Sequence, residues 1–196
     1  MQFTADKIYH VYNQGNNEQQ VFFSSENYLY FLKNYRAFVA PYADTLAYCL
    51  MPNHFHFLIS TNGQSVLPVK VGSLTLSVLS NGIRMLLSSY AAAINKQQHT
   101  TGSLFRQKTK AKPLENGTVN YVLTSFHYIH QNPLHAGLVR SLNEWEYSSF
   151  KDYAGLRKGS LCNQKSAKQL IDANWKDITN ETYAFYKNKQ ELNGIF

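Results

Sequence analysis

His54 and His56 stand two residues apart in the segment HFHFLIS. On a β-strand that spacing sends both imidazoles to one face, where their rings can converge on one ion, and it turns Phe55 to the opposite face. Neutral imidazole together with oxygen donors can hold Mg2+, Mn2+ or a late transition metal, and two rings need at least one further ligand. Two polar residues decorating a half-buried strand would give the same pattern. In YVLTSFHYIHQNP, Tyr128 and Asn132 are four apart, so on an α-helix they lie one above the other and can share a small site. Asn132 offers an amide oxygen to a hard cation, and Tyr128 offers a phenol able to attack a phosphorus atom held by that cation. In a chain with 14 tyrosines, an ordinary packing role for Tyr128 is the competing reading.

A tyrosine nucleophile suits reversible strand transfer, because a phosphotyrosyl ester keeps the phosphodiester's bond energy for later attack by a free 3′ hydroxyl. A cation would polarise the phosphate and neutralise charge developing in the transition state. The ordinary phenol pKa is about 10, so the step needs help with deprotonation, and the residues name no base. Arg106, Lys108, Lys110 and Lys112 occupy every second position of a strand predicted over SLFRQKTKAKPL. Their charges would project from one face at intervals of roughly 6.5–7 Å. Such a rail can track a phosphate backbone with salt-sensitive affinity, while lysines that guard an edge strand against aggregation give the same pattern.

The elements that must position these groups are legible as periodicity. Ile8 to Tyr12 alternates as a first strand running into the turn-like NQGNN. SSENYLYFLKNYRAFVAPY places apolar residues at helical spacing behind a serine cap. TLAYCLM and HFHFLIS read as consecutive strands split by Pro52 and Asn53. Residues 62–72 read as a loop before a second helix from about Leu74 to Gln97. The basic strand follows, and then a helix over ENGTVNYVLTSFHYIHQN, with Val122, Phe126 and Ile129 as its apolar stripe and Pro133 as its stop. The order β-α-β-β-α-β-α predicts an α+β fold: a ferredoxin-like, split βαβ antiparallel sheet with helices on one face, plus an additional helix carrying Tyr128. GLRKGS reads as a linker, which divides the chain into residues 1–157 and a polar, weakly helical C-terminal tail, 158–196.

Composition sets the outer bounds. The 196 residues are 44% hydrophobic and 16% charged, enough for one sizeable core. The formal net charge of +7 favours polyanionic partners, nucleic acid first. Cys49 and Cys162 form no CxxC pair, and no apolar run approaches a membrane span, so a reducing, cytoplasmic setting is expected.

Five ordered blocks, YHVYNQGNN, AYCLMPNHFHFLI, GSLFRQKTKAKPL, YIHQNPLHAGLV and EWEYSSFKDYAG, resemble the REP-associated tyrosine transposases, a branch of the single-tyrosine HUH transposases of the insertion sequence 200 type. The resemblance implies that HFH is the HUH motif, with His54, His56 and Asn132 as metal ligands, Mg2+ or Mn2+ as cofactor and Tyr128 as nucleophile. It further implies a single-stranded DNA endonuclease and strand transferase that cuts beside a DNA hairpin through a 5′-phosphotyrosine intermediate, working as a monomer or homodimer. Asn13, Gln14, Asn16 and Asn17 in the first loop, with the basic rail, would then contact DNA. Where the family commonly carries arginines in that loop, this chain has Gln14 and Glu18, which points to altered DNA affinity or site choice. The competing expectation is a hairpin-binding regulator on the same fold that does not cut.

Overall fold

The computed structural model of the chain describes residues 1–114 and 120–187. Strands β1 (Ile8–Gln14), β2 (Asp44–Met51), β3 (His54–Ser60) and β6 (Lys110–Leu114) form one antiparallel sheet in the order β2-β3-β1-β6. Period-two alternation gives this sheet two different faces. Val11, Phe55, Phe57 and Ile59 point to one of them, where they meet Tyr35 of α1 (Ser25–Phe38) and Ile83 and Leu86 of α2 (Val78–Gln98). Phe57 stacks on Tyr35 with ring centroids 4.0 Å apart, and Phe31 packs against both Phe55 and Tyr90. Burying each of these aromatic side chains contributes on the order of 2 kcal/mol.

Gly82 lets the two helices on this face approach closely. A Cβ there would stand 1.9 Å from the carbonyl oxygen of Phe38, so the modest helix-propensity cost of glycine is offset by the contact it allows. The opposite face is covered by α3 (Tyr121–His135), whose N-terminus is capped by the Asn120 side chain accepting from the Leu123 amide. The outer edge of β2 is covered by residues 145–149: Leu50 donates to the Tyr147 carbonyl at 2.8 Å and Ser149 to the Tyr48 carbonyl at 3.0 Å.

The mixed α+β architecture with its antiparallel sheet is as the periodicity predicts, and four local expectations are corrected. Residues 68–77 form a hairpin, β4 (Pro68–Val71) and β5 (Leu74–Ser77), and α2 begins only at Val78. The turn is made by Gly72 at φ +60 with Ser73, a left-handed position that suits glycine. Pro133 does not stop α3, which runs on to His135; so near the helix end, proline forfeits little of the hydrogen-bond ladder. The basic strand is shorter than expected. Phe105 makes one bridge to Gly15 and the Arg106 amide donates to the Gln14 carbonyl at 2.9 Å; residues 107–109 then loop out before the ladder resumes at Lys110–Leu114, so Arg106 and Lys108 share no continuous strand face with Lys110 and Lys112. The part of the predicted tyrosine helix over residues 115–119 lies outside the described residues.

The described residues from 155 onward are well tied. Arg157, in the expected linker, donates from Nε to Asp152 at 2.6 Å and also reaches the carbonyls of Glu146 and Ser148. After α4 (Phe150–Tyr153), helices α5 (Gln164–Leu170) and α6 (Ile178–Lys187) dock through buried Leu161, Cys162, Ala167, Ile171 and Ile178.

Candidate active site

Strand register builds the site. In β3, His54 lies opposite Gln14 of β1 and Met51 of β2, while His56 lies opposite Tyr12 and Cys49. One step further, His10 faces Leu58 on one side and Lys112 of β6 on the other, and Tyr12 faces Lys110. All these side chains leave the sheet on the face that α3 covers. The rings of His54 and His56 are 5.0 Å apart and nearly perpendicular, at 85°. The Tyr128 ring stands edge-on to His56 at 5.8 Å and 85°. Asn132, one helical turn on, stands close enough to His54 to act on its ring, so the structure brings His54, His56, Tyr128 and Asn132 together.

Each potential ligand is oriented by a second contact. Asn53 Oδ1 can only accept, so at 2.6 Å it takes the Nδ1 proton of His54 and leaves Nε2 as the lone-pair nitrogen. His56 Nδ1 is 2.8 Å from His10 Nε2, and the two rings stack at 5.0 Å. With the shared proton on His56, its Nε2 is also a lone-pair nitrogen. The Asn132 amide donates to the Tyr128 carbonyl at 2.8 Å, which leaves its Oδ1 as the atom for the site.

Electrostatics act in the same direction. Burial pulls the His56 pKa well below the ordinary imidazole value, with His10 and His54 adding to the effect. Burial also lowers His54, against the Asn132 side chain, which favours the protonated ring. His10 is pushed down to about 3 by burial and then by Lys112. These rings are neutral near pH 7, the state a metal ligand needs. Burial, Tyr12 and Cys49 all raise the Tyr128 phenol, which therefore stays protonated without help.

Two neutral imidazole nitrogens and one carboxamide oxygen are a donor set that would suit Mn2+ or Mg2+. Among the described residues no group of three or more His, Cys, Asp or Glu is poised to hold an ion, and the Asn132 carboxamide is a neutral oxygen donor beside the two imidazoles.

The other residues expected at the site are spread over several places. Asn13 is buried, and its amide holds the looped-out segment through the Arg106 carbonyl at 3.1 Å and Thr109 Oγ1 at 2.9 Å. Gln14 lies on the site face beside His54, whereas Asn16 and Asn17 are exposed in the following turn. Arg106 pairs with Glu18 at 3.4 Å, and with Lys108 it borders a cleft of about 720 Å3 between α2 and residues 102–111, away from the imidazoles. Lys110 and Lys112 flank the site at the edge of the sheet.

Sequence reasoning did not single out His10, Tyr12 or Asn53. The alternation in IYHVYNQ was the available signal: His10 and Tyr12 share a face, and pairing β1 with β3 places that face beside His56.

No family model matches the chain, and no curated protein does. A solved structure of a REP-associated tyrosine transposase bound to a REP hairpin is similar to the chain with a TM-score of 0.55 and 16% identity, over 80% of this chain and 86% of that one. At that identity the likeness shows a shared fold.

Proposed function

We propose that the chain is a metal-dependent single-stranded DNA endonuclease and strand transferase that cuts beside a DNA hairpin through a 5′-phosphotyrosine intermediate. The observation that carries the reading is the meeting of a helix-borne phenol, Tyr128, with two neutral, oriented imidazoles and the Asn132 carboxamide. The shared fold with a hairpin-bound transposase supports it, as does the net charge of +7.

In this reading His54 Nε2, His56 Nε2 and Asn132 Oδ1 hold Mg2+ or Mn2+. Such an ion would supply charge neutralisation at the scissile phosphate. Tyr128 Oη attacks phosphorus; the bond to the 3′ oxygen breaks, releasing a 3′ hydroxyl and leaving the 5′ phosphate esterified to tyrosine. Attack by a 3′ hydroxyl on that ester reverses the step and joins strands. His10 and Asn53 keep the ligand nitrogens pointed outward. Lys110 and Lys112 attract the backbone to this face of the sheet.

Incubating labelled hairpin DNA from the chain's own genomic setting with Mn2+ tests this. A covalent protein–DNA adduct is expected, absent in Tyr128→Phe. Cleavage that persists unchanged in that variant would point to an activated water instead. A regulator that binds without cutting has one observation in its favour, the raised phenol pKa of Tyr128. It predicts hairpin binding that survives joint loss of His54, His56 and Tyr128, with no adduct under any divalent metal.

A further inference from the structure

The side of α3 turned away from the imidazoles carries a buried polar cluster that the proposed chemistry does not use. His127, fully buried, lies 2.9 Å from Thr182 Oγ1 through Nδ1 and 3.3 Å from Glu181 Oε2 through Nε2, and its ring stacks on Phe185 at 4.3 Å. Thr182, also fully buried, donates its hydroxyl proton to the Ile178 carbonyl at 2.7 Å, so towards His127 it is the acceptor and His127 Nδ1 carries the proton. The Gln131 amide donates to the Thr182 carbonyl. A single threonine of α6 thus receives hydrogen bonds from two residues of α3, at its side chain and at its backbone.

The anchors and the chemistry alternate along α3. His127 immediately precedes Tyr128, and Gln131 immediately precedes Asn132. On a helix, neighbours are about 100° apart, so each anchor fixes the rotation of the helix at the very level of the residue it precedes. The next residue of α6 is tied as well: the Leu142 amide donates to Tyr183 Oη at 3.1 Å.

We infer that α6, through Thr182, is the positioning element that holds Tyr128 and Asn132 at the angle at which they meet the paired imidazoles. This rests on the proposed function only for its catalytic consequence; the mechanical part stands on α3 and α6 alone. Thr182, His127 and Gln131 are positioning residues: none touches the reacting atoms. The C-terminal segment, as far as α6, is therefore part of the working unit.

The test uses the full chain with Thr182→Val, which keeps the shape and removes both hydroxyl bonds, and Thr182→Ser, which restores them. The expected result is a single-turnover adduct rate about tenfold lower in Thr182→Val, as is usual for loss of a supporting contact. Hairpin affinity should stay within about twofold of wild type, and Thr182→Ser should regain the rate. Amide hydrogen exchange should quicken in α3 while β1 and β3 are unchanged, and the Tyr128 ring signals should shift in NMR spectra. Unchanged exchange and unchanged ring signals would overturn the inference. So would uniform loosening of the whole chain with rate and affinity falling together, because that marks a merely structural contact. If wild type forms no adduct, the proposed function fails, while exchange and ring signals still decide whether α6 sets the angle of α3.

Discussion

The two faces of the central sheet are made by the same strands and behave as different materials. On the helical face, Val11, Phe55, Phe57 and Ile59 interlock with α1 and α2 by shape, and no polar side chain of β3 intrudes. On the other face, the residues in between, His10, Tyr12, His54 and His56, form a hydrogen-bonded, aromatic-lined polar layer under α3. An apolar face is stabilised by burial and tolerates substitution of similar volume. A buried polar face is stabilised only if each group has its partner, so it specifies orientation more than it adds stability. Substitutions should separate the two.

The largest expected effect is on chemistry with no effect on fold. Tyr128→Phe should lower adduct formation by at least about three orders of magnitude, as loss of a nucleophile does, while thermal stability stays near wild type. The apolar face should answer in the opposite way. Phe57→Ala removes a side chain that is 1% exposed and stacked on Tyr35, and should cost about 3–5 kcal/mol in urea unfolding. At DNA concentrations and temperatures where that variant is still folded, its adduct rate should remain within a few fold of wild type. A loss of chemistry as deep as that of Tyr128→Phe would mean that the faces are not separable.

Acid should distinguish the faces next. Burial holds His10 and His127 down at about 3, and lowers His56 and His130 as well. A histidine whose folded pKa lies below its unfolded value of about 6.5 binds fewer protons when folded, so its contribution to stability is present above pH 6.5 and is lost as pH falls towards the folded pKa. Each such ring should cost roughly 1 kcal/mol per pH unit in that window, giving a steep loss of stability between about pH 6.5 and 4. His127→Phe, apolar and of similar size, should flatten the slope; an unchanged slope would show that this ring is not held neutral.

His10→Leu should be milder still. It leaves His56 Nδ1 without its partner 2.8 Å away, and Mn2+ affinity, read by calorimetry on the protein alone, should fall about 10–100-fold. His10→Gln should recover part of it.

What could be seen in the sequence divides along the same lines. Contacts within one element were legible: the two-residue spacing of His54 and His56, the four-residue spacing of Tyr128 and Asn132, and the stripe of Val122, Phe126 and Ile129 follow from strand and helix periods alone. Contacts that need a partner strand or a distant segment were not. His10 becomes a neighbour of His56 only once the β1–β3 register is known. The C-terminal helix looked polar because its polar residues are used inward, Thr182 on α3 and Tyr183 on the 141–142 segment. The hairpin at 68–77 did have a local signal, Gly72-Ser73 between apolar runs. The basic rail failed as a continuous strand because Asn13, placed by β1, captures the Arg106 carbonyl and Thr109, and residues 107–109 leave the ladder.

That break in the rail yields the smallest effect and a direct comparison of two cations four residues apart. Lys110 lies opposite Tyr12 on the face that bears the imidazoles, whereas Arg106 is half exposed in the loop and paired with Glu18. An exposed pair of this kind adds at most about 1 kcal/mol to stability, so Arg106→Ala should unfold almost as wild type does. For hairpin binding, each lost phosphate contact should lower the slope of log affinity against log salt by about one. Lys110→Ala should show that change and Arg106→Ala less of it, because Glu18 already neutralises the guanidinium. Equal slopes for the two variants would place the DNA path along the loop as well as the sheet, and Glu18→Gln would then strengthen binding by freeing Arg106.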